Sequence, residues 1–561
     1  LDPYSYKLIN LAIHLLTGLG LLLLTRQIID THARLHAHSP PPAVVRWLPV
    51  IICGIWLVHP LNLTSVLYIV QRMTSLSSLF IVCALCLYMA GRIRLLNNRS
   101  GLPHMLAGLF VFGGLALFSK ETGILLPLYM LVLELTLFRF RTADGLPDRR
   151  VQAFFLACIL LPLAAGLIYL GIHFDKIANY SGRNFSLTER LLTEARVLVF
   201  YLKMTVAPAV QQLGLYHDDF VISRGLLSPV TTLPAVVFLG GLLAGSLLLV
   251  RRLPLVSLGI LWFLAGHTLE STIIPLESAH EHRNYLPVFG IILAIAGLLA
   301  RLPDTPVARR ISIAAPVLLL VIFTSTTWLR STQWSTGVDH AVYEARHHPE
   351  SPRALFAAGR VHARLALQGN SDSTDKAHDY LERASRLDPT EILPAVTLIK
   401  FNHLAGRTVD PALYDEVIDR LKRHPVSPSD INSLQDLAGC LGKACKVPES
   451  IVDEIFQAAL KNESARVLAL FGFYSVNTRK DFHAGLDLFE RAVRRTPREP
   501  QYWKNLINLL MVMARFDEAE NRLEQFRELQ PYGSSKNDFR ELQDKIDNAR
   551  LEFEQSRNTL A

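Results

Sequence analysis

The stretch RWLPVIICGIWLVHPLNLTSVLYIVQRMTSLSSLFIVCALCLYMAGRIR, residues 46–94, decides the fold. It passes from a basic residue into an apolar run (48–60) and through a short polar link. A second apolar run (73–90) follows, and the stretch closes on Arg92 and Arg94. A bilayer-spanning helix needs about 17–25 apolar residues, so this pattern predicts two spans joined by a short hairpin.

The same alternation extends in both directions. Further apolar runs occupy 8–25, 105–118, 123–138, 152–172, 230–250, 255–275, 285–300 and 311–329, giving about ten spans. The runs at 48–60, 105–118 and 123–138 are short, and the last two read either as two spans or as a re-entrant pair. The links fall into two sets. One carries Arg26, Arg34, Arg46, Arg92, Arg94, Arg99, Arg139, Arg141, Arg149, Arg150, Arg251, Arg252, Arg301, Arg309 and Arg310. The short links between them carry only Arg72, Lys120 and Arg283. The positive-inside rule puts the arginine-rich set in the cytoplasm and the other on the outer side, together with everything after Trp328. Residue 1 is Leu, so the chain reads as N-terminally incomplete, with an odd number of spans expected ahead of it.

Composition divides the chain near residue 330. Residues 1–330 hold 26 Lys+Arg and 15 Asp+Glu, too few charges for a water-soluble domain; residues 331–561 hold 31 and 34, which is ordinary for one. The whole chain carries +8, but the excess is spread between apolar runs rather than gathered in a patch, so nucleic acid is not the expected partner. The predicted organisation is a polytopic membrane domain over 1–330 and a soluble α-helical domain over 331–561.

In the second part, prolines follow amphipathic helices at Pro389, Pro425, Pro497 and Pro531, with spacings of 36 and 34 residues within pairs. Trp503, Leu506, Leu509, Ala514, Phe516, Ala519 and Leu523 give the last unit the pattern of a tetratricopeptide repeat, with Ala514 and Ala519 expected where paired helices approach. The signal is clearest over 484–531, visible over 353–389 and faint over 390–480; 541–558 reads as a capping helix. Cys440 and Cys445 are the only cysteines there, and an outer location permits a disulfide; two further ligands for zinc are not in evidence.

Between the spans, Ser186-Leu-Thr-Glu189 is a capping box. Leu187, Leu191, Leu192, Ala195, Leu198, Val199 and Leu202 then form an apolar stripe, and Glu189, Arg190, Glu194, Arg196 and Lys203 fall mostly opposite. Two readings follow: a helix in the membrane interface, or one packed on the bundle.

Polar groups at the ends of apolar helices are functional candidates, because they are costly there unless paired or hydrated. His59 with Gln71 and Arg72 is one cluster; Lys120-Glu121, readable as a self-neutralising ion pair, is another; His217-Asp218-Asp219 in the long loop is a third. The densest comprises Glu270, Glu277, His280, Glu281, His282, Arg283, Asn284 and Tyr285. His280 and His282 are two apart and share no helical face, so no helix-borne metal site is expected. Carboxylates and amides bind sugar hydroxyls while Arg and Lys hold phosphate oxygens, so the set suits a sugar phosphate at a membrane face.

Three strings carry a family resemblance: His59-Pro-Leu-Asn followed by Val70-Gln-Arg-Met-Thr-Ser-Leu, then Ser119-Lys-Glu-Thr-Gly123, and lastly Glu270-Ser-Thr with Pro275-Leu-Glu277 and Glu281-His-Arg-Asn-Tyr-Leu-Pro287. Together with the order of modules, they resemble bacterial relatives of the transmembrane-and-tetratricopeptide O-mannosyltransferases, in the GT-C superfamily. The resemblance implies an all-α protein, a GT-C-like helix bundle followed by a repeat solenoid. It implies an enzyme that moves a sugar from a polyprenyl-phosphate donor to a Ser or Thr hydroxyl of an acceptor protein bound by the repeats. It further implies a bacterial inner membrane with periplasmic repeats, or an endoplasmic reticulum membrane with lumenal ones. Arg72, Lys120 and Arg283 would hold the donor phosphate. His59, Gln71, Glu121, Glu277, His280, Glu281, His282, Asn284 and Tyr285 would position substrate. The acidic base of the family's first outer loop would precede residue 1, leaving Asp218 or Asp219 as second choices. The rival readings are a ligase or polymerase acting on lipid-linked glycans, and a non-catalytic membrane-anchored repeat scaffold.

Overall fold

The structure is a computed structural model that describes residues 3–35, 42–180, 183–303, 305–440, 447–461, 464–529 and 536–560. Asp2, Cys445 and Pro531 lie outside them. Among the described residues the chain is helical, with two isolated β-bridges and no strand. It forms two compact units, Leu1–Ala354 and Leu355–Ala561.

Among the described residues of the first unit, six helices are long and apolar enough to cross a membrane: Pro3–Leu35, Ile69–Leu96, Leu102–Ser119, Glu121–Phe138, Arg149–Ile172 and Pro306–Thr332. A seventh candidate is the pair Arg46–Leu57 and Pro60–Leu67, bent by 52° where Pro60 interrupts the ladder. Thr232–Leu248, Pro254–His267 and Pro287–Leu299 are shorter apolar helices. Each apolar run lies wholly or partly in a helix, the run 255–275 being helical only to His267, and six or seven helices rather than ten reach spanning length among the described residues; 105–138 forms two separate helices. Large apolar side chains on several of these helices face outward, among them Leu161, Ile168 and Val317. That is the surface a helix presents to lipid.

Helices Pro254–His267 and Pro287–Leu299 pack with their backbones in near contact. A Cβ on Gly259 would sit 2.1 Å from the Gly290 carbonyl oxygen. Small residues permit such approach where dispersion drives helix association. We expect Gly259→Val to force the pair apart, at a cost of about 1–3 kcal/mol or more, read as a lower unfolding temperature in detergent with loss of monodisperse protein.

Composition changes at 330, but the division of the fold falls at 354, because helix Gly337–His347 bonds back into the first unit. The Glu344 carboxylate accepts from the backbone N–H groups of Leu215 and Tyr216 (2.9 and 3.3 Å), and the Tyr343 hydroxyl donates to the Val210 carbonyl at 3.1 Å.

The second unit is a run of paired helices. It closes on Phe482–Arg495, Pro500–Val512, Phe516–Leu529 and the terminal Lys536–Leu560. Helices end at Leu387, Arg423 and Arg495, two residues before Pro389, Pro425 and Pro497. Pairing continues where the repeat signal is faint, as Leu393–Leu404 with Pro411–Arg423 and Ala465–Asn477 with Phe482–Arg495. Trp503 stacks on Phe526 and donates to the Pro497 carbonyl at 2.7 Å. Ala519 is fully buried between helices as expected, whereas Ala514 instead forms the turn, with φ at +56°. Cys440 is disulfide-bonded, and Cys53, Cys83, Cys86 and Cys158 are free.

Candidate functional site

The two sets of polar links gather at separate foci. In the arginine-rich set, Arg92 holds Glu134 through two bonds (2.9 and 3.0 Å), Tyr88 donates to the same carboxylate at 2.6 Å, and Arg92 reaches Asp148 at 3.5 Å. These residues are buried and mutually satisfied, which marks a structural clasp.

Of the other set, Lys120 and Arg283 come together around residues 267–285, whereas Arg72 does not. The capping box forms as read, with the Ser186 hydroxyl accepting from Glu189 N–H and the Glu189 carboxylate accepting from Ser186 N–H. The helix it starts, Leu187–Val206, packs on the bundle with Arg190, Thr193, Glu194, Val197, Tyr201, Met204 and Thr205 inward. Its apolar stripe is mostly half-buried and Leu191 is exposed. Arg190 and Glu194 therefore sit on the buried face, the reverse of the periodicity reading. Arg190 is satisfied there by three backbone carbonyls, Glu270 (2.7 Å), Thr272 (3.0 Å) and Leu276 (2.5 Å), and lies 3.1 Å from Glu194.

Beside this pair, Lys120 meets Glu270 at 2.9 Å, both nearly buried. Glu121 is exposed and is not its partner: the chain turn sends one side chain inward and the other out. Arg283 donates to the carbonyls of Ser278 (2.9 Å) and Glu277 (2.8 Å), while its Nε–H has no partner. Tyr201 both donates to and accepts from the His280 backbone. His280 lies 3.2 Å from Glu277, whose other oxygen meets Arg353 at 2.8 Å, and stacks on His282 at 5.2 Å.

Electrostatics within this cluster are uneven. Burial pushes the Glu270 carboxyl up, but Lys120 and Arg283 overcome it and hold it below its ordinary range. The hydrogen bond from His280 and the charge of Arg353 hold Glu277 low as well. Burial lifts Glu194 to about 7 against the pull of Arg190 and Arg283. His282 is held neutral by burial and by the Lys120 charge. Three cations, Lys120, Arg190 and Arg283, thus face two firmly ionised carboxylates and one that titrates near neutrality. With the Glu194 proton in place the cations outnumber the ionised carboxylates, which favours an anion.

A second focus surrounds Glu281, clamped by Arg330 at 2.9 and 3.1 Å while Arg330 also donates to the Pro60 carbonyl at 2.6 Å. Burial raises Glu281 to about 7 in spite of that contact. His348 Nδ1 lies 2.8 Å from an Asp219 oxygen, and Asp218 accepts from the Ser351 hydroxyl (2.5 Å) and Arg353 N–H (3.2 Å). Asp218 and Asp219 therefore anchor the 348–353 turn and are engaged by their own chain.

The remaining candidates are structural in their contacts. His59 accepts from Leu61 N–H and bonds the Thr205 carbonyl, Gln71 accepts from Thr74, and Tyr285 is buried against His14 at 2.8 Å. Asn284 is buried and donates to the Glu281 carbonyl. Arg72 is half-buried on Asn10 and the Tyr6 carbonyl, and no contact ties it to Lys120 or Arg283. The sequence pointed to His217 as part of the His217-Asp218-Asp219 cluster, but not to Arg330, Glu344 or His348. Only Arg330, a charge closing an apolar run of 311–329, left a signal that could have been followed.

No protein-family model matches this chain, and no curated protein matches it. Among solved structures it is similar to the crystal structure of yeast Tom70, at 12% identity over 91% of this chain and 93% of that one, with a TM-score of 0.26. A likeness that distant carries no argument about this chain's fold or activity.

Proposed function

We propose that the chain is an integral-membrane glycosyltransferase of the GT-C kind. It transfers a sugar from a polyprenyl-phosphate donor to a Ser or Thr hydroxyl of an acceptor protein recruited by the helical repeats, on the outer side of a bacterial inner membrane. The observation that carries this reading is the buried, cation-rich cluster of Lys120, Arg190 and Arg283 around residues 270–283, built onto a bundle of apolar helices. A lipid-linked phosphate needs both surfaces at once.

In the reaction a base takes the acceptor hydroxyl proton as that oxygen bonds the anomeric carbon, and the carbon–phosphate oxygen bond breaks with the phosphate keeping the electron pair. Lys120 and Arg283 stabilise the growing phosphate charge, with Glu270 holding Lys120 in place beforehand. Neutral His282 and ionised Glu277 bond sugar hydroxyls at the partly exposed edge. Arg72, set apart, is left out of the phosphate group, and Asp218 and Asp219 are not assigned the base.

Proteoliposomes holding a polyprenyl-phosphate hexose and a Ser/Thr-rich acceptor should show transfer by mass spectrometry. Lys120→Met should lower the rate by about 10²–10³-fold, the usual effect of removing one transition-state donor. Absence of transfer by the wild-type chain across hexose donors, or full activity of the variant, would count against the reading. One observation favours the rival, a membrane-anchored repeat scaffold: most charged groups of the cluster are already bonded within the chain. An inactive wild type that still binds partner proteins through residues 355–561 is its expected result.

A further inference from the structure

Away from the proposed sugar site, three metal-ligating side chains meet without any role in it. Ligand atoms of His217, Asp219 and His348 all lie within 4.8 Å of one another. His217 is 5% exposed and His348 6% exposed. The Nε2 atoms of both are buried with no hydrogen-bond partner. Leaving two imidazole nitrogens unsatisfied is unfavourable unless something else binds them. The two rings meet edge-on, 5.3 Å apart at 89°, so their lone pairs are not stacked face to face.

The surroundings suit a cation. Asp219 supplies a carboxylate 2.8 Å from His348 Nδ1, the arrangement that orients a metal-bound imidazole. The Glu344 carboxylate borders the same space: a Cβ on Gly214 would lie 2.7 Å from Glu344 Oε2 and 2.9 Å from His348 Nε2. Glycine at 214 keeps that space open. The two imidazole Nε2 atoms, with the Glu344 carboxylate and a water in the remaining positions, make the donor set of a tetrahedral zinc-class ion, and Asp219 orients the His348 ring from its Nδ1 side.

We propose that His217 and His348, with Asp219 orienting the His348 ring, form a binding site for one zinc-class divalent ion, which staples the 217–219 loop to the turn after helix Gly337–His347. The site does not depend on the glycosyltransferase reading. Metal–ligand distances of about 2.0–2.2 Å require the donor atoms to draw inward slightly when the ion binds.

The test uses the full chain in detergent, free of any polyhistidine tag, stripped with chelator and exposed to zinc sulfate before desalting. Metal analysis should find about one zinc per chain in the wild type and in a His378→Gln control. His217→Gln and His348→Gln should each retain less than about a tenth of that. Asp219→Asn, which keeps size and hydrogen bonding, should bind about 10–100-fold more weakly. Zinc should raise the unfolding temperature of the wild type, raise that of Asp219→Asn less at the same concentration, and leave those of His217→Gln and His348→Gln unchanged. Cobalt loaded into the wild type should give a visible tetrahedral absorption band that zinc displaces, a reading that needs no variant to fold. Wild-type protein without retained zinc, a cobalt sample without the band, or undiminished zinc in the folded variants would each overturn the site.

Discussion

Replacing Arg330 with alanine is expected to destabilise the first unit by about 3–5 kcal/mol, because it strands a buried carboxylate. Both members of the Arg330–Glu281 pair are 1% exposed, so neither charge can turn to solvent when its partner is removed. Arg330 also carries the Pro60 carbonyl, so the alanine variant loses the tie between helix Pro306–Thr332 and the bent pair as well. The loss is a large share of the about 5–15 kcal/mol that usually separates folded from unfolded protein. Chemical unfolding in detergent, followed by tryptophan fluorescence, measures it. The double variant Arg330→Met with Glu281→Met should recover most of the loss, since an apolar pair leaves no charge stranded. If the double variant is as unstable as Arg330→Ala, the backbone bond to Pro60 rather than the ion pair dominates.

Arg190→Met should have the second largest effect. Three carbonyls of the 270–276 segment and the Glu194 carboxylate all lose their cation at once. An orphaned buried acceptor costs about 1–3 kcal/mol, so the segment bearing Glu270 and Glu277 is expected to loosen. Hydrogen exchange over 268–285 should accelerate while exchange in the arginine-rich clasp at Arg92 and Glu134 stays unchanged. Uniform acceleration would show global unfolding instead. The pH dependence has a definite sign. Glu194 binds its proton more tightly folded, at about 7, than unfolded, near its ordinary 4.5. Its contribution is complete below about 4.5 and is lost as the pH rises through about 7. Glu194→Gln, which mimics the protonated form, should flatten stability across that interval. A variant whose slope matches wild type would remove Glu194 as the titrating group.

How legible these features were in the residues depended on distance along the chain. The capping box at Ser186 and Glu189 spans three residues, and it formed as read. Lys120 and Glu121 are adjacent, which made an ion pair between them the simplest reading, yet Lys120 bonds Glu270, 150 residues away. The apolar stripe from Leu187 to Leu202 was visible as a pattern, but the pattern did not say which face would be covered. Arg190 decided that by finding its carbonyls 80–86 residues downstream.

The sequence determined the helical architecture, the positions of the apolar helices and the pairing of helices in the second unit, because run length, proline spacing and local capping act within one or two turns. Tertiary structure alone decided which charges are buried and whom they meet: Glu270 for Lys120, Glu281 for Arg330, His348 for Asp219. A helix ladder satisfies its backbone locally, so its ends can be read from neighbouring residues. A buried charge needs an opposite charge or a carbonyl brought from elsewhere in the chain, and only the packing of distant segments supplies one.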